Sequence, residues 1–327
     1  MNDAAMDIGL WGLPVAVFKG CFLVGTPFLF VSQGECLTEK SGRVNLGLEG
    51  TLVLGAMSAY GISYLSASSW LPRLGLSGLA PLAPWLGVLA AALLGALLGA
   101  MHATICNRPR VNYVAVGIAM MFFGTGIAFY LGKPFIKPSA PQLPALELGG
   151  WSSIEQVRSA LKIPWLFLAG VGLTPVLWWM LRYTRWGLIL RLAGESEEAA
   201  AAMGYSVNRI RVLATAAGGA LAGIGGSYLS LYYPGAWTEQ ISSGQGLMAV
   251  ALVIFARWDP VRCLWAALLF GGVGSLGLAL QSLKLTSASS AYLWNAAPYV
   301  LTLGIMVLTC SRARAMAGVP AELVRVR

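Results

Sequence analysis

The side chains that could do chemistry are few and scattered. One histidine, His102, and five cysteines, Cys21, Cys36, Cys106, Cys263 and Cys310, make up the whole soft-ligand set. No two cysteines form a CxxC pair, and a single histidine excludes an HExxH site. The spacing therefore predicts free thiols and no metal site. A GxGxxG string occurs at Gly272, Gly274 and Gly277, inside an apolar run with no strand before it, which removes the context a dinucleotide site requires. There is no GxxxxGK[ST] string, so the chain carries no phosphate-binding loop of its own. No cluster of His, Asp or Cys offers a nucleophile with its base, and no catalytic residue is expected. What remains are amides and isolated acids within or beside apolar runs: Gln33, Asn45, Glu49, Asn112, Gln245, Gln281 and Asn295. Their chemistry is hydrogen bonding. Such groups in a membrane either pair with each other or line water. Asn45, Glu49, Asn112 and Gln245 are candidate pathway residues for a neutral polar solute. For Glu49 a structural bond to a neighbouring helix is the favoured reading, with pathway lining as the alternative. His102, on an apolar helix, reads as a packing residue.

The elements that must hold these groups follow from composition. The chain has 327 residues, 57% hydrophobic and 11% charged, with mean hydropathy +0.71. A soluble chain carries about 25% charged residues, so an ordinary cytosolic enzyme is excluded. The first residues, MNDAAMDIGLWGLP, are acidic with no early Lys or Arg, so a cleaved signal peptide is not expected. Charge-free runs at 20–34, 50–72, 74–107, 111–132, 163–181, 212–238, 240–256, 263–283 and 285–311 predict an all-α polytopic membrane bundle of about nine spans, eight to ten. The first extends backwards past Lys19. Residues 240–256 are short and interrupted by Gly244 and Gly246, which predicts a broken or re-entrant segment there.

With the N-terminus outside, the inward loops collect Lys40, Arg43, Arg108, Arg110, Arg182, Arg185, Arg191, Arg209, Arg211, Arg257, Arg262, Arg312, Arg314, Arg325 and Arg327. The outward loops keep Arg73, Lys133, Lys137, Arg158, Lys162 and Lys284. That asymmetry predicts N outside and C inside, and it makes the net charge of +9 a topology signal rather than a nucleic-acid one. Trp70, Trp85, Trp165, Trp186, Trp258 and Trp294 fall near span ends, as in an interfacial belt. Two small-residue stripes, Gly87, Ala91, Gly95, Gly99, Ala103 and Gly219, Gly223, Gly226, predict close helix packing, within the bundle or between subunits.

Residues 182–211 form the longest inward loop. Ser196 is a good N-cap, Glu197 and Glu198 suit a first helical turn, alanines follow, and Gly204 is a natural stop. This predicts a helix of about two turns, too short to be stable without a partner surface. The outward loop 132–162 holds Pro134, Pro138, Pro141 and Pro144, and predicts a short amphipathic helix near 153–161.

The stretch T-R-W-G-x-x-x-R-x-x-G-E-x-x-E-A-A-x-x-x-G-Y-S-V-N-R-I-R from Thr184 resembles the cytoplasmic coupling loop of ABC-transporter permeases. It is nearest to those that handle simple sugars, nucleosides and branched-chain amino acids. Two further segments agree: E-K-S-G-R-V-N-L-G-L-E-G at 39–50, and G-Q-G-L-M-A-V-A-L-V-I-F-A-R-W-D-P at 244–260. The resemblance implies one transmembrane permease domain over 1–327, with coupling loop 182–211 and external loop 132–162. Carried over by position, Glu195, Glu198, Ala199, Ala200 and Gly204 would dock an ATP-binding subunit. The implied partners are that subunit, a second permease chain (the same or a different one), an extracytoplasmic substrate-binding protein and the lipid bilayer, with no nucleic acid. No cofactor is expected on this chain, because ATP and Mg would belong to the ATPase.

The implied function is ATP-driven import across a bacterial cytoplasmic (inner) membrane. The solute would be a nucleoside or simple sugar, with a branched-chain amino acid as the alternative. A secondary transporter would need ionisable groups deep in its spans, and only Glu49 and His102 stand out. A membrane-embedded enzyme would need a catalytic cluster, which is missing.

Overall fold

The computed structural model describes residues 12–282, 296–309 and 319–324. Lys284, Trp294, Asn295, Cys310, Arg312, Arg314, Arg325 and Arg327, with part of the expected span 285–311, lie outside them. The principal helices are α1 (Gly12–Leu23), α2 (Gly25–Lys40), α3 (Leu48–Leu65), α4 (Ala83–Cys106), α5 (Tyr113–Gly132), α6 (Glu155–Ala160), α7 (Trp165–Tyr183), α8 (Arg185–Glu195), α9 (Glu197–Ala202), α10 (Val207–Leu231), α11 (Gln245–Phe255), α12 (Pro260–Gly274), α13 (Leu276–Ser282), α14 (Ala297–Thr309) and α15 (Ala321–Val324).

Six helical stretches among the described residues are long and apolar enough to cross a membrane: Gly12–Lys40, Ser77–Cys106, Tyr113–Phe135, Trp165–Tyr183, Val207–Leu231 and Pro260–Gln281. The other three expected spans differ from these. Residues 50–72 contribute α3, which is buried along nearly its whole length. Residues 240–256 contribute α11, with 11 residues, about half the length needed to cross. Residues 285–311 are described only from 296.

The first stretch is also organised differently from the expectation. It is two abutting helices, and the second runs on past Glu35 to Lys40. Pro27 accounts for the junction: its ring conflicts with the carbonyl four residues back, at Leu23. A count of charge-free residues ends this span at Gly34. The helix instead buries Glu35 and Glu39 completely.

α10 is the axis of the bundle and packs on α4, α2 and α3. The two glycine stripes meet each other inside the one chain. A Cβ on Gly95 would lie 2.1 Å from the Gly219 carbonyl oxygen, and one on Gly223 would lie 2.1 Å from that of Ala91. In lipid, apolar side chains gain little from meeting one another, so backbone approach of this kind supplies the packing. Two glycines of the GxGxxG string pack against side chains instead, Gly272 against the Cys21 sulfur and Gly274 against Val24.

The proline-rich loop at 132–162 is more ordered than its prolines suggest. Short strands β1 (Ala145–Glu147) and β2 (Lys162–Pro164) pair antiparallel and bracket α6. Lys162 pairs with Glu147 at 2.9 Å, which lowers the Glu147 carboxyl below its usual range and raises Lys162. Trp70, Trp85, Trp165 and Trp186 are exposed, as a belt requires. Trp258 is not: it is buried, and its indole N–H donates to Glu39.

Candidate functional site

Three of the four candidate pathway residues converge where α3 and α11 begin. Glu49, in the first turn of α3, receives hydrogen bonds from the Ser242 hydroxyl and from the backbone N–H groups of Gly244 (3.0 Å) and Gly246 (2.7 Å). One carboxylate therefore serves two helix N-termini, where the exposed amides favour negative charge. A side chain on Gly246 would strike the Glu49 backbone at 2.6 Å, so the two segments touch. Gly244 holds φ +83°, a left-handed turn that glycine adopts without strain. Asn45, buried, accepts from the N–H of Gly47 at 3.0 Å and shapes the turn into α3. Gln245 follows Gly244, and its buried Oε1 has no partner among the described residues. Asn112 does not belong here. It caps α5, accepting from the N–H groups of Val114 and Ala115.

The junction lies deep in the bundle. Gly50, beside Glu49, approaches the Met121 carbonyl so closely that a Cβ would lie 2.5 Å from it. Met121 is near the middle of α5. Residues 41–47 thus turn back from the end of α2 to the middle of the bundle without helical structure. This backbone is satisfied internally: the buried Glu35 carboxylate accepts from the Asn45 N–H at 2.7 Å. Glu35, Glu39 and Trp258 form a buried polar layer that composition does not reveal. Its sequence signal is the spacing of the two acids, four residues apart on one helix face.

At the arginine-rich end, the short helix stands where the sequence places it. The Ser196 side chain accepts from the Ala199 N–H at 3.2 Å, Glu197 and Glu198 occupy the first turn, and Gly204 has φ +83° beyond the end. Glu195, Glu198, Ala199 and Gly204 are exposed, together with Met203 and Tyr205. Ala200 is not: it is buried against Ala193 and Val207, so it seats the helix rather than presenting a surface. Arg211, expected as a loop cation, is wholly buried in α10. It donates to the Ser41 carbonyl and to Glu197 at 3.2 Å each, and Glu322 of α15 lies 3.7 Å away. One guanidinium thus joins the turn after α2, the short helix and α15. Among the described residues no group of three potential metal ligands occurs.

A family model described as branched-chain amino acid transport system / permease component matches residues 18–310. The chain belongs to this permease family. It is 32% identical over 272 residues to a putative glucose ABC transporter permease protein of Haloferax volcanii, covering 80% of this chain and 76% of the relative. A guanosine ABC transporter permease protein of Bacillus subtilis is 29% identical over 321 residues, 93% and 95% of the two chains. A nucleoside ABC transporter permease protein of Lactococcus lactis is 28% identical over 305 residues, 91% and 93%. No solved structure matches. The chain is therefore a multi-pass membrane permease subunit of an ABC importer, a transport component and not an enzyme. In this permease the exposed short helix and the mid-depth junction are the two places with functional geometry.

Proposed function

We propose that this permease subunit carries a nucleoside inward, with the arginine-rich end in the cytoplasm and the short helix α9 as the docking element for an ATP-binding subunit. The carrying observation is α9 itself. A two-turn helix with its own cap, two acids in its first turn and exposed Glu198, Ala199, Met203 and Tyr205 lacks cover on its outer face. A helix of that length needs a partner surface; the bundle seats it through Ala200 and the Arg211–Glu197 pair, and among the described residues nothing covers its outer face. Orientation follows from the cations: the same end carries Arg108, Arg110, Arg182, Arg185, Arg191 and Arg209. That arrangement favours an N-terminus outside and a C-terminus inside a bacterial inner membrane. ATP and Mg bind the partner subunit, a second permease chain completes the pathway, and a binding protein delivers solute to the far end.

The nucleoside reading is favoured by the guanosine and nucleoside permeases, which match over more than nine-tenths of both chains. The glucose permease supports a sugar as the second reading. The test is uptake into vesicles holding the assembled transporter with its ATP-binding and solute-binding subunits. ATP-dependent uptake of labelled guanosine, blocked by excess nucleoside and not by glucose or leucine, is expected. Competition by glucose alone would replace the nucleoside with a sugar. Accumulation without the ATP-binding subunit would overturn the docking role of α9.

A further inference from the structure

We propose that residues 238–243 form a wall of the aqueous solute path, where Gln240 and Ser243 hydrogen-bond a neutral, hydroxyl-bearing solute. The inference rests on the reading of the chain as an importer permease and goes beyond it by placing the solute contacts.

The depth of this segment is set at both ends. The Trp237 indole packs on Gly132, at the far end of α5, so tightly that a Cβ there would meet it at 2.3 Å. Gly244 and Gly246 are bonded to Glu49, beside Gly50 and Met121, midway along α5. Eleven helical residues separate these two levels, about 16 Å, which is about half of the roughly 30 Å hydrocarbon core. Residues 237–246 therefore cross the outer half of the membrane, and α11 crosses the inner half.

Over this stretch the backbone is a series of turns, and Thr238, Glu239, Gln240 and Ser243 are exposed on the single chain. Hydrocarbon cannot satisfy such backbone or side chains; at this depth they must face protein or water. Comparison with the other irregular segment decides between these. Residues 41–47 are largely buried, and Glu35 and Asn45 serve their amides. Among the described residues Thr238, Glu239, Gln240 and Ser243 have no such cover, although the Tyr299 hydroxyl donates to the Ser243 carbonyl. The chain also shows what its lipid faces look like: Leu93, Leu97 and Phe122, each more than 60% exposed, are purely apolar.

The wall offers hydroxyl and amide groups with one acid, Glu239. The Ser243 hydroxyl donates to the Gln240 carbonyl at 3.1 Å and keeps its own oxygen free to accept. Uncharged donors and acceptors match the hydroxyls of a ribose or a hexose, and Glu239 disfavours an anion.

The experiment uses the assembled transporter in membrane vesicles. Cysteines are placed singly at Gln240 and Ser243, and at Leu93 and Phe122 as lipid-facing controls. A membrane-impermeant methanethiosulfonate reagent labels them, with the unsubstituted chain giving the baseline of its own thiols. A thiol in hydrocarbon does not ionise, so Gln240→Cys and Ser243→Cys should label about tenfold faster than the controls. Saturating guanosine, or glucose in a parallel arm, should slow that labelling, and Gln240→Ala should raise the KM for uptake several-fold. Labelling no faster than the controls would overturn the proposal, and so would labelling that neither solute slows together with an unchanged KM. Failure of the importer reading shows separately, as absent ATP-driven uptake by the unsubstituted assembly.

Discussion

The contact between Gly95 on α4 and Gly219 on α10 gives a sharp prediction. A methyl on Gly95 would sit 2.1 Å from the Gly219 carbonyl oxygen, and a methyl on Gly219 would sit 2.2 Å from that of Gly95. Ordinary contact begins at 3.4 Å, so either substitution must push the two helices about 1 Å apart. The obstacle is backbone on both sides, and no side chain can swing away. Overpacking of this kind costs about 1–3 kcal/mol, partly offset by the ~0.5–1 kcal/mol gained when alanine replaces a mid-helix glycine. Gly126 on α5 and Gly172 on α7 have nothing within 4 Å of where a methyl would stand, and show the offset alone. Gly95→Ala and Gly219→Ala should therefore each destabilise the chain by about 1–2 kcal/mol, while Gly126→Ala and Gly172→Ala leave it unchanged or slightly firmer. Because one separation of the helices accommodates both methyls, the double variant should cost less than the sum. Heat-induced loss of the monodisperse peak in detergent measures all five. If the Gly95 and Gly219 variants melt with the Gly126 and Gly172 controls, the claim that these helices touch through their backbones is wrong.

Four further outcomes follow from the polar groups. Glu49→Gln turns an acceptor into an amide facing the N–H groups of Gly244 and Gly246, and should cost about 1–3 kcal/mol of thermal stability. Ser196→Ala removes the cap of α9 and about 1 kcal/mol of helix stability; ATPase co-purification should weaken while the melting of the permease alone barely moves. Arg211→Met takes the guanidinium away from the buried Glu322 and should cost about 3–5 kcal/mol in the same thermal assay. Glu197→Gln, at a carboxylate 36% exposed, should cost less than about 1 kcal/mol.

The short helix at 197–202 is legible in the amino-acid sequence because every signal for it is local: a serine cap, acids at the positive end, alanines, then a glycine with left-handed φ. Membrane residence and the arginine-rich end are equally legible, since hydropathy and charge act residue by residue against the solvent. The small-residue stripes announce close packing, but which stripe meets which depends on helix geometry. Glu35 and Glu39 read as the end of a span because a carboxylate alone argues for water. In the fold an N–H of Asn45 and the indole of Trp258, brought from 10 and 219 residues away, give them buried partners. Arg211 reads as a loop cation for the same reason, its partners being Ser41, Glu197 and Glu322.

What the sequence determined by itself, then, is a basic-ended helical membrane chain with a short capped helix at that end, since propensity, capping and hydropathy are properties of neighbouring residues. What the tertiary structure decided is where the polar groups go. It fastened Asn45, Glu49 and Gln245 around a junction at mid-depth, sent Asn112 to a helix cap, and left Thr238, Glu239, Gln240 and Ser243 uncovered. A polar group in a membrane is stable only beside its partner, and that partner is set by the fold rather than by the residues next to it in the chain.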